Sequence, residues 1–512
     1  MAGSLPILAL VCAWVLLVQA PSANQTSHYA LIRALASGTA RIDSYASETI
    51  DKSQFAGHIY SNKAPGLALA AAPVYLLVQK SGLAALARRA AGNVAAGAGV
   101  RATSGAAAQI RRDRGIIWTL TLWAAVLPAA VLLLLLRAVA ERTQPGYGAL
   151  AAVAVGAGTL LMPFASLLYS HVLAATFGFA GFAVLFLGRP GSARRLLAAG
   201  ALCGLAITTE YPLALVAGLV GLYVIVRDRS LRSVVLYAAG VFIGLVPLGL
   251  YDLFAFGSVT HLSYVGALPT TSAAASPHQS GFFGVGIPQA RRALEVLLAP
   301  KGLLVLTPFV AAAVAGVALI RRGPFRWEIV LAGAAAITFL VYNAGYFGPL
   351  GGDTPGPRFL IAALPFTVLG GASALRRWPG PALALLAASV GTMVLATITK
   401  PQLPSSDLSV WTSLAGTGHL QYTLLSAAGL GHGWGGIIPV LALVAVALTL
   451  AIRRAGLALT DRALLSGLAA LGGWLVLVLL SPHISPGSAL PAGAVGAGVA
   501  LIVLAAARIT SP

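Results

Sequence analysis

The chain alternates between apolar runs near 20 residues long and short polar segments that carry arginine. An α-helix needs about 20 apolar residues to cross the hydrocarbon core of a bilayer. The pattern therefore predicts an all-α, polytopic transmembrane protein. Between 11 and 14 spans fit, and the fuller count places them at residues 5–21, 115–136, 147–164, 171–188, 196–209, 211–226, 233–251, 302–320, 327–345, 359–375, 380–398, 437–452, 463–480 and 487–507.

The composition agrees with a bilayer as the main solvent. Of the 512 residues, 58% are hydrophobic and only 9% are charged, whereas a soluble domain carries about 25% charged residues. No segment outside the apolar runs is apolar enough to bury its own core, so residues 1–512 are predicted to form one membrane-embedded domain. The net charge of +20 comes from scattered arginine pairs. These form no continuous basic face, so we expect no nucleic-acid partner.

Arginine placement predicts the orientation. With the N-terminus inside, each of six short inside loops carries at least two arginines, as at Arg194 and Arg195 or Arg453 and Arg454, which is the positive-inside pattern. All eight histidines and nine of the thirteen acidic residues then fall outside. Longer outer loops collect polar residues by chance. Chance does not explain His171, Glu210 and Asp252 at span ends, where ionisable groups are costly and usually functional.

Two segments leave the topology open. Leu5 to Val18 is predicted to be a retained first span. It could also be a cleaved signal peptide, although it lacks a basic n-region. Residues 64–79 could form a second span, which would invert every later loop. We instead expect an interfacial helix on the outer surface that begins at Pro65, followed by a flexible insert over residues 81–114. Residues 22–114 then form the first extracytoplasmic loop.

The start of this loop concentrates titratable residues. Helical spacing over 28–36 with Gly38 as a stop predicts a helix. If residues 44–50 are helical, Glu48 and Asp51 share one face. A carboxylate can take the proton of an acceptor hydroxyl, and cations can hold a departing phosphate. The chemistry-bearing residues of the loop are Asp43, Glu48, Asp51, His58, Tyr60 and Lys63. The alternative is a solvated loop whose charges pair with one another.

Later outer loops add candidate partners. His171 opens the fourth predicted span, and Glu210 and Tyr211 join the fifth and sixth. The Gly/Pro-rich segment 351–357 predicts a tight turn that holds Arg358 at headgroup depth. An arginine fork there could bind a phosphate, or it could anchor lipid headgroups.

The loop resembles that of the polyprenyl-phosphate-dependent GT-C glycosyltransferases, in particular the branch with protein O-mannosyltransferases and lipid A aminoarabinose transferases. The aminoarabinose branch carries the pattern Gly-x-x-Tyr-x-x-Lys-Pro-Pro-Leu, and Gly57 to Leu67 is similar, with Ala64 in place of the first Pro and Gly66 inserted before Leu67. The resemblance covers about the first 230 residues and returns near Arg358. It implies an inside N-terminus, many spans, and a long first outer loop with interfacial helices.

The sequence also departs from the family. An Asp-Glu pair near the start of the loop supplies the family's proposed base, and Asn24-Gln25 stands there in this chain. A second family acid, at the start of the fourth span, matches His171. Asp43 and Asp51 are therefore the candidate bases, with Asp43 slightly favoured. Alternatively, Asn24 and Gln25 bind sugar hydroxyls and His171 is the base.

These observations together predict an inverting membrane glycosyltransferase. The expected donor is a polyprenyl-phosphate-linked sugar and the acceptor is a glycan, lipid or protein hydroxyl outside the cytoplasm of a bacterial cell. Lys63 and Arg358 would hold the phosphate with His58 and Tyr60, and the predicted substrate-binding residues are Asn24, Gln25, Glu48, Glu210 and Tyr211. No cofactor is required, although a divalent metal between Asp43 and Asp51 stays possible. The rivals are a lipid-linked sugar transporter or flippase and a polysaccharide polymerase or ligase.

Overall fold

The computed structural model describes residues 2–91, 104–269, 276–320, 323–403 and 407–484. Within these ranges the protein is almost entirely helical. The α-helices are α1 (Leu5–Leu16), α2 (Ala23–Ala36), α3 (Gly66–Lys80), α4 (Leu83–Ala91), α5 (Ser104–Arg112), α6 (Arg114–Thr121), α7 (Leu127–Thr143), α8 (Gly148–Ala157), α9 (Leu161–Phe164), α10 (Ser170–Phe186), α11 (Ala193–Thr209), α12 (Ala214–Asp228), α13 (Leu231–Phe256), α14 (Ala290–Leu298), α15 (Leu303–Leu306), α16 (Phe309–Ile320), α17 (Arg326–Gly345), α18 (Val368–Arg377), α19 (Pro379–Ile398), α20 (Leu408–Gly416), α21 (Leu424–Ala427), α22 (Trp434–Ala455) and α23 (Asp461–Leu480).

Four short strands complete the described structure. They are β1 (Leu17–Val18), β2 (Lys52–Phe55), β3 (His58–Ser61) and β4 (Tyr422–Thr423). Strands β1 and β4 pair antiparallel, and so do β2 and β3. The buried side chain of Arg114 donates to the carbonyl of Val18 at 2.6 Å and thereby ties the end of β1 to α6.

The predicted all-α membrane fold is confirmed, whereas the count of fourteen spans is not. Among the described residues, seven helical stretches are long and apolar enough to cross a bilayer, and a bent pair would make an eighth. The seven are Arg114–Thr143, Tyr211–Asp228, Leu231–Phe256, Arg326–Gly345, Pro379–Ile398, Trp434–Ala455 and Asp461–His483. The predicted spans 5–21, 147–164 and 171–188 are shorter apolar helices. The predicted span 487–507 lies outside the described residues.

Proline explains where predicted spans break. The predicted span 302–320 bends by 90° between Leu306 and Phe309, because Pro308 has no N–H to donate and restricts the backbone of the residue before it. The predicted span 359–375 begins with two 3₁₀ turns, Arg358–Ala362 and Leu364–Thr367, before α18 starts. An apolar run therefore indicates burial in the bilayer or the core more reliably than it indicates one straight crossing.

Close packing of α11 on α13 fixes the end of α11. Gly200 and Gly204 face Gly240 and Gly244, and a Cβ at any of the four would collide with the backbone of the opposite helix. Two such small-x-x-x-small motifs let helix backbones approach closely in a membrane. Thr208 adds a hydrogen bond to the carbonyl of Gly244 at 3.0 Å. The contact holds in place Glu210, the residue directly after α11.

The first loop contains the predicted helices and one element that was not predicted. Helix α2 covers the predicted 28–36 and starts five residues earlier, and Gly38 stops it with a φ of +79°. The expected helix over 44–50 is wrong, because a 3₁₀ turn over Asp43–Glu48 leads into the β2–β3 hairpin instead. Glu48 and Asp51 consequently do not share a helical face.

Helix α3 matches the predicted segment 64–79, with Pro73 inside it. The predicted flexible insert over 81–114 is wrong for its described parts, which form α4 and α5. Asp113 at the end of this segment accepts a 3.0 Å bond from Nε of Arg88. Alanine and arginine, which are frequent in α4 and α5, have high helix propensities and favour short helices.

Titratable residues and arginines lie at opposite ends of the same helices. Helix α10 begins beside His171, and α12 follows Glu210. At the other end, Arg227 of α12 donates to the carbonyls of Leu185 and Gly188, where α10 finishes. This separation agrees with the charge pattern of the sequence, which predicts arginines on one side of the membrane and most titratable residues on the other. Which end faces outward stays a prediction.

Candidate active site

A cavity of about 240 Å³ lies where the first loop meets the starts of several helices. Its walls come from the N-terminal end of α2, the segments that flank the β2–β3 hairpin, the start of α10, and the segments before α12 and after α17. The residues that line it are Ser22, Ala23, Asn24, Ile50, Asp51, Lys63, Tyr169, His171, Glu210, Tyr264, His278, Tyr346, Phe347, Gly348, Gly351, Gly352, Asp353, Arg358 and Phe359. Six of these residues were predicted from the sequence to act in a common site.

The hairpin places Asp51 beside Lys63. Ala56 and Gly57 both have positive φ, which is the type I′ geometry that joins two strands tightly. In the resulting register Lys52 pairs with Ser61, so the flanking Asp51 and Lys63 meet. The Nζ of Lys63 lies 2.9 Å from Oδ2 of Asp51. Gly57 of the family-like motif therefore lies in the turn, and Lys63 lies two residues after the end of β3.

The pair with Lys63 controls the ionisation of Asp51. Burial raises the pKa of the Asp51 carboxyl, but the neighbouring charge and hydrogen bond of Lys63, together with the charge of Arg358, outweigh it and bring the pKa below its usual value. Asp51 is therefore a carboxylate at neutral pH.

Gly66 brings the start of α3 against the end of α11. A Cβ at Gly66 would lie 2.6 Å from the Cα of Thr209, so only glycine permits this approach. Thr209 directly precedes Glu210. The glycine inserted relative to the family pattern thus lets α3 begin against the segment that carries Glu210.

Glu210, Ser170 and His171 form a hydrogen-bonded group on one wall. The Oε1 of Glu210 lies 3.2 Å from Nδ1 of His171 and also accepts a hydrogen bond from the Ser170 hydroxyl. Burial raises the pKa of Glu210 above its usual value, and the hydrogen bond from Ser170 and the charges of Arg358 and Lys63 oppose this rise.

Arg358 supplies a cation without a carboxylate partner. Gly351 and Gly352 have φ of +80° and +67°, which confirms the predicted tight turn, and Nζ of Lys301 holds the turn through the Gly352 carbonyl at 2.7 Å. Among the described residues, no carboxylate lies within ion-pair distance of Arg358. Its Nε is buried and has no hydrogen-bond partner there.

Aromatic rings form the remaining walls. Tyr169 stacks on His171 at 5.8 Å between centroids, and Phe359 meets His171 edge-on at 5.7 Å. On the other side the ring of His278 stacks on Tyr264 at 5.3 Å. Burial and the nearby charge of Lys63 lower the pKa of His278 to about 4, so this ring is neutral at pH 7. Aromatic faces of this kind can pack against a sugar ring.

Four buried polar atoms of lining residues lack a hydrogen-bond partner within the described structure. They are Oδ1 of Asn24, Nε2 of His171, Nδ1 of His278 and Nε of Arg358. A buried polar atom without a partner costs about 1–3 kcal/mol. Four such atoms around one cavity indicate a site built for a polar ligand.

Several predicted site residues lie elsewhere. Asp43, slightly favoured as the base, accepts from the backbone N–H of Ile59 at 2.8 Å and lies 3.1 Å from Nδ1 of His58. Both side chains are well exposed to solvent and neither lines the cavity. Tyr60 is buried against Phe256 at 4.9 Å and is a packing residue in this structure.

The other three lie outside the cavity with partners of their own. Glu48 forms a buried ion pair with Arg33. The Oε1 of Gln25 accepts from the backbone N–H of Leu168 at 2.9 Å. The hydroxyl of Tyr211 lies 3.2 Å from that of Ser263. The predicted substrate contacts of Glu48, Gln25 and Tyr211 therefore do not fit this cavity.

The sequence reading missed the aromatic wall of Tyr264, His278 and Tyr346. A signal existed, because Tyr264 and His278 belong to a polar outer segment rich in aromatic residues, but nothing local connects that segment to the first loop. Asp43 faces His58 and Asp51 faces Lys63, and a divalent metal that bridges the two carboxylates stays a hypothesis. No cluster of three or more His, Cys, Asp or Glu side chains that could hold a metal occurs in the described part of the chain.

The comparisons with known proteins concern the fold. No protein-family model matches the chain, and no curated protein matches it in sequence. The structure is similar to the crystal structure of ArnT from Cupriavidus metallidurans bound to undecaprenyl phosphate, with a TM-score of 0.48, 15% identity, and coverage of 99% of this chain and 77% of that one. The apo structure of the same protein gives 0.46, 15%, 99% and 76%.

A third similar structure is the oligosaccharyltransferase of Archaeoglobus fulgidus in its apo form, with a TM-score of 0.40, 10% identity, and coverage of 98% of this chain and 60% of that one. ArnT is a lipid A aminoarabinose transferase, and both proteins belong to the GT-C superfamily.

Proposed function

We propose that this protein is an integral-membrane glycosyltransferase that moves a sugar from a polyprenyl-phosphate carrier to a hydroxyl of a glycan, lipid or protein acceptor, with inversion, on the outer face of a bacterial cytoplasmic membrane. The observation that carries the proposal is the position of Lys63 and Arg358 in one cavity where four buried polar atoms lack partners within the described structure.

The phosphate of the donor fits the two cations. Arg358 has no carboxylate partner among the described residues, and a guanidinium binds two phosphate oxygens at once. Lys63 carries three donors, and its one ion pair, to Asp51, leaves donors for a phosphate. As the sugar leaves, the bridging oxygen gains negative charge, and preplaced cations stabilise that charge. The reaction therefore requires no metal for charge neutralisation.

The sugar fits the aromatic and amide groups that surround these cations. Tyr169, Phe359 and Tyr264 present ring faces or edges to the cavity, and Oδ1 of Asn24 is free to accept from a sugar hydroxyl. A cavity of about 240 Å³ has room for a phosphate and a sugar. The acceptor must then approach from the open side.

The carrier lipid fits the surroundings of the site. Lys63 is followed within three residues by α3, and Arg358 precedes the apolar segment that ends in α18. A phosphate held between them would lie where polar loops meet apolar helices, which is the depth of a lipid headgroup. An isoprenoid tail could then stay in the bilayer during transfer.

The proposal is tested by binding and by transfer. Purified protein is titrated with undecaprenyl phosphate, the lipid in one of the ArnT crystal structures, and its co-purifying lipids are identified by mass spectrometry. We expect a polyprenyl phosphate to bind wild type and Arg291→Ala, and to bind Arg358→Ala at least tenfold more weakly. Arg291 is an exposed control whose ion pair with Glu295 lies outside the cavity.

Transfer is measured with a radiolabelled lipid-linked sugar pool and membrane acceptors. A label that moves across liposomes without any new covalent product would favour the flippase and overturn the enzyme. Products that are long repeating glycans would favour the polymerase instead.

A further inference from the structure

His171 and Glu210 on the cavity wall form an acid–base pair that lies outside the first loop, where the sequence placed the favoured base. His171 is 7% exposed and has two ring nitrogens in different situations. Its Nδ1 faces Glu210 at 3.2 Å, whereas its Nε2 belongs to a cavity-lining side chain and has no partner within the described structure. One nitrogen is therefore held by the protein, and the other is free for a ligand.

Glu210 sets the tautomer of this ring. A carboxylate can only accept a hydrogen bond, so it favours the proton on Nδ1 and leaves the lone pair on Nε2. The Ser170 hydroxyl also donates to Oε1 of Glu210, which fixes the carboxylate. The stacking of Tyr169 and the edge of Phe359 restrict the ring plane. A base oriented by a third group is the arrangement that proton transfer requires.

Asp51 is less suited to the same task. Its carboxylate is bound to Lys63 at 2.9 Å, and taking a proton would break that pair. Asp51 is better placed to orient Lys63 toward a phosphate.

We infer that His171 is the general base of the proposed transfer and that Glu210 is its positioning residue. The inference rests on the proposed function. The acceptor oxygen attacks the anomeric carbon while its proton moves to Nε2 of His171. The bond between the anomeric carbon and the phosphate oxygen breaks, and its electron pair stays on the polyprenyl phosphate held by Lys63 and Arg358. The positive charge on the imidazolium is then balanced by Glu210.

The charged and titratable groups that face His171 come from every neighbouring element. Glu210 lies between α11 and α12, His28 on α2, Lys63 after β3 and Arg358 at the turn before α18. Burial lowers the pKa of the His171 imidazole well below its usual value, and the nearby Arg358, His28 and Lys63 lower it further. Glu210 opposes this lowering because its carboxylate favours the imidazolium, whereas the cations Arg358 and Lys63 disfavour it. A bound phosphate would offset these two cations, so His171 becomes a stronger base when the donor is present.

The test uses the full-length protein in nanodiscs with the lipid-linked sugar pool. His171→Ala should lower kcat about 10²- to 10³-fold while undecaprenyl phosphate still binds with wild-type affinity. Added imidazole should restore part of the lost rate, because a soluble base can enter the space that the ring vacates. Exposed His419 offers the control, and His419→Ala should keep the wild-type rate with no response to imidazole.

Glu210→Gln tests the positioning role. An amide can donate to Nδ1 and so stabilise the wrong tautomer, and kcat should fall about tenfold or more with little change in KM. Loss of the anionic partner disfavours the imidazolium, so the acid limb of the pH–rate profile should move to lower pH. A merely structural Glu210 would leave the position of that limb unchanged.

The outcomes separate the two proposals. If wild type transfers sugar and His171→Ala transfers it equally fast, the base assignment is overturned and the glycosyltransferase stands. The base assignment also fails if His171→Ala is slow but imidazole restores nothing while donor binding is intact. If wild type binds undecaprenyl phosphate but transfers nothing, the proposed function fails, and the base assignment falls with it.

Discussion

Two acid–base pairs lie at the same hairpin. Their side chains have similar chemistry but differ in burial. Asp43 pairs with His58 at 3.1 Å, and Asp51 pairs with Lys63 at 2.9 Å. The side chains of the first pair are 44% and 39% exposed, whereas those of the second are 20% and 13% exposed. Each pair joins an acid to a base close by in the chain, yet only the second lines the cavity.

The difference in burial changes what each pair can do. An exposed ion pair is worth about 0–1 kcal/mol because water screens it. In a less polar site the same charges interact more strongly with each other and with a ligand. The Asp51–Lys63 pair also lies near Arg358 and His278, and both of these residues act electrostatically on the Asp51 carboxylate. Substitutions in the buried Asp51–Lys63 pair are therefore expected to affect transfer and stability more than substitutions in the exposed Asp43–His58 pair.

The largest effect is expected for Lys63→Ala. It removes a cation that would stabilise the departing phosphate and leaves Asp51 without its partner. Loss of one such preplaced group costs about 10²- to 10³-fold in rate, and transfer of a labelled lipid-linked sugar measures it. Lys52→Ala is the matched control in the same hairpin, because Nζ of Lys52 donates to the backbone carbonyl of Ala46 at 2.8 Å and Lys52 does not line the cavity.

Equal losses in Lys63→Ala and Lys52→Ala would contradict this ranking. They would show that the hairpin as a whole, rather than the cation at its end, supports transfer. Thermal stability in detergent should be measured for both, so that unfolding is not mistaken for loss of chemistry.

A smaller effect, with a defined pH dependence, is expected for Asp51→Asn. The carboxylate has a pKa below the usual 3.8 in the folded protein, so its stabilisation is present above that pH and is lost as pH falls through the folded pKa. At pH 7 the variant should be less stable by about 1–3 kcal/mol, the cost of leaving a buried polar partner unsatisfied. Below about pH 3.8 its Tm should approach that of wild type. A stability gap that stays constant down to pH 3 would contradict the ion pair.

Much of the site could be predicted from the sequence, because most of its residues stand beside a recognisable feature of the neighbouring sequence. Asp51, Lys63, His171, Glu210, Arg358 and Asn24 all lie at ends of apolar runs or beside a family-like motif, and all six line the cavity. Ionisable groups at span ends are costly, so their presence pointed to function. The all-α fold could be predicted because apolar runs near 20 residues recur along the chain.

The choice between Asp43 and Asp51 could not be predicted, because it depends on a hairpin register. Spacing over residues 44–50 is equally compatible with a helical turn, and the Ala56–Gly57 turn has only one glycine to mark it. Once the strands pair, Lys52 lies opposite Ser61 and the burial of each charge is set. The position of the aromatic wall beside the first loop could not be predicted either, since Tyr264 and Tyr346 are about 200 and 280 residues away from Lys63 in the chain.

The smallest effect is expected for Asp43→Asn, which tests the exposed half of the comparison. The amide oxygen can still accept from the N–H of Ile59, which the carboxylate contacts at 2.8 Å, so only the ion pair with His58 is lost. Exposed pairs contribute about 0–1 kcal/mol, and the variant should unfold within that range of wild type and transfer sugar at a rate within about twofold of it. The combined transfer and stability measurements decide the point, with His58→Gln as the companion that removes the imidazole partner. If Asp43→Asn instead abolished transfer while the protein stayed folded, the carboxylate would have to reach the reacting sugar. The hairpin would then have to close over the cavity in the donor complex, because Asp43 lies outside it in the structure described.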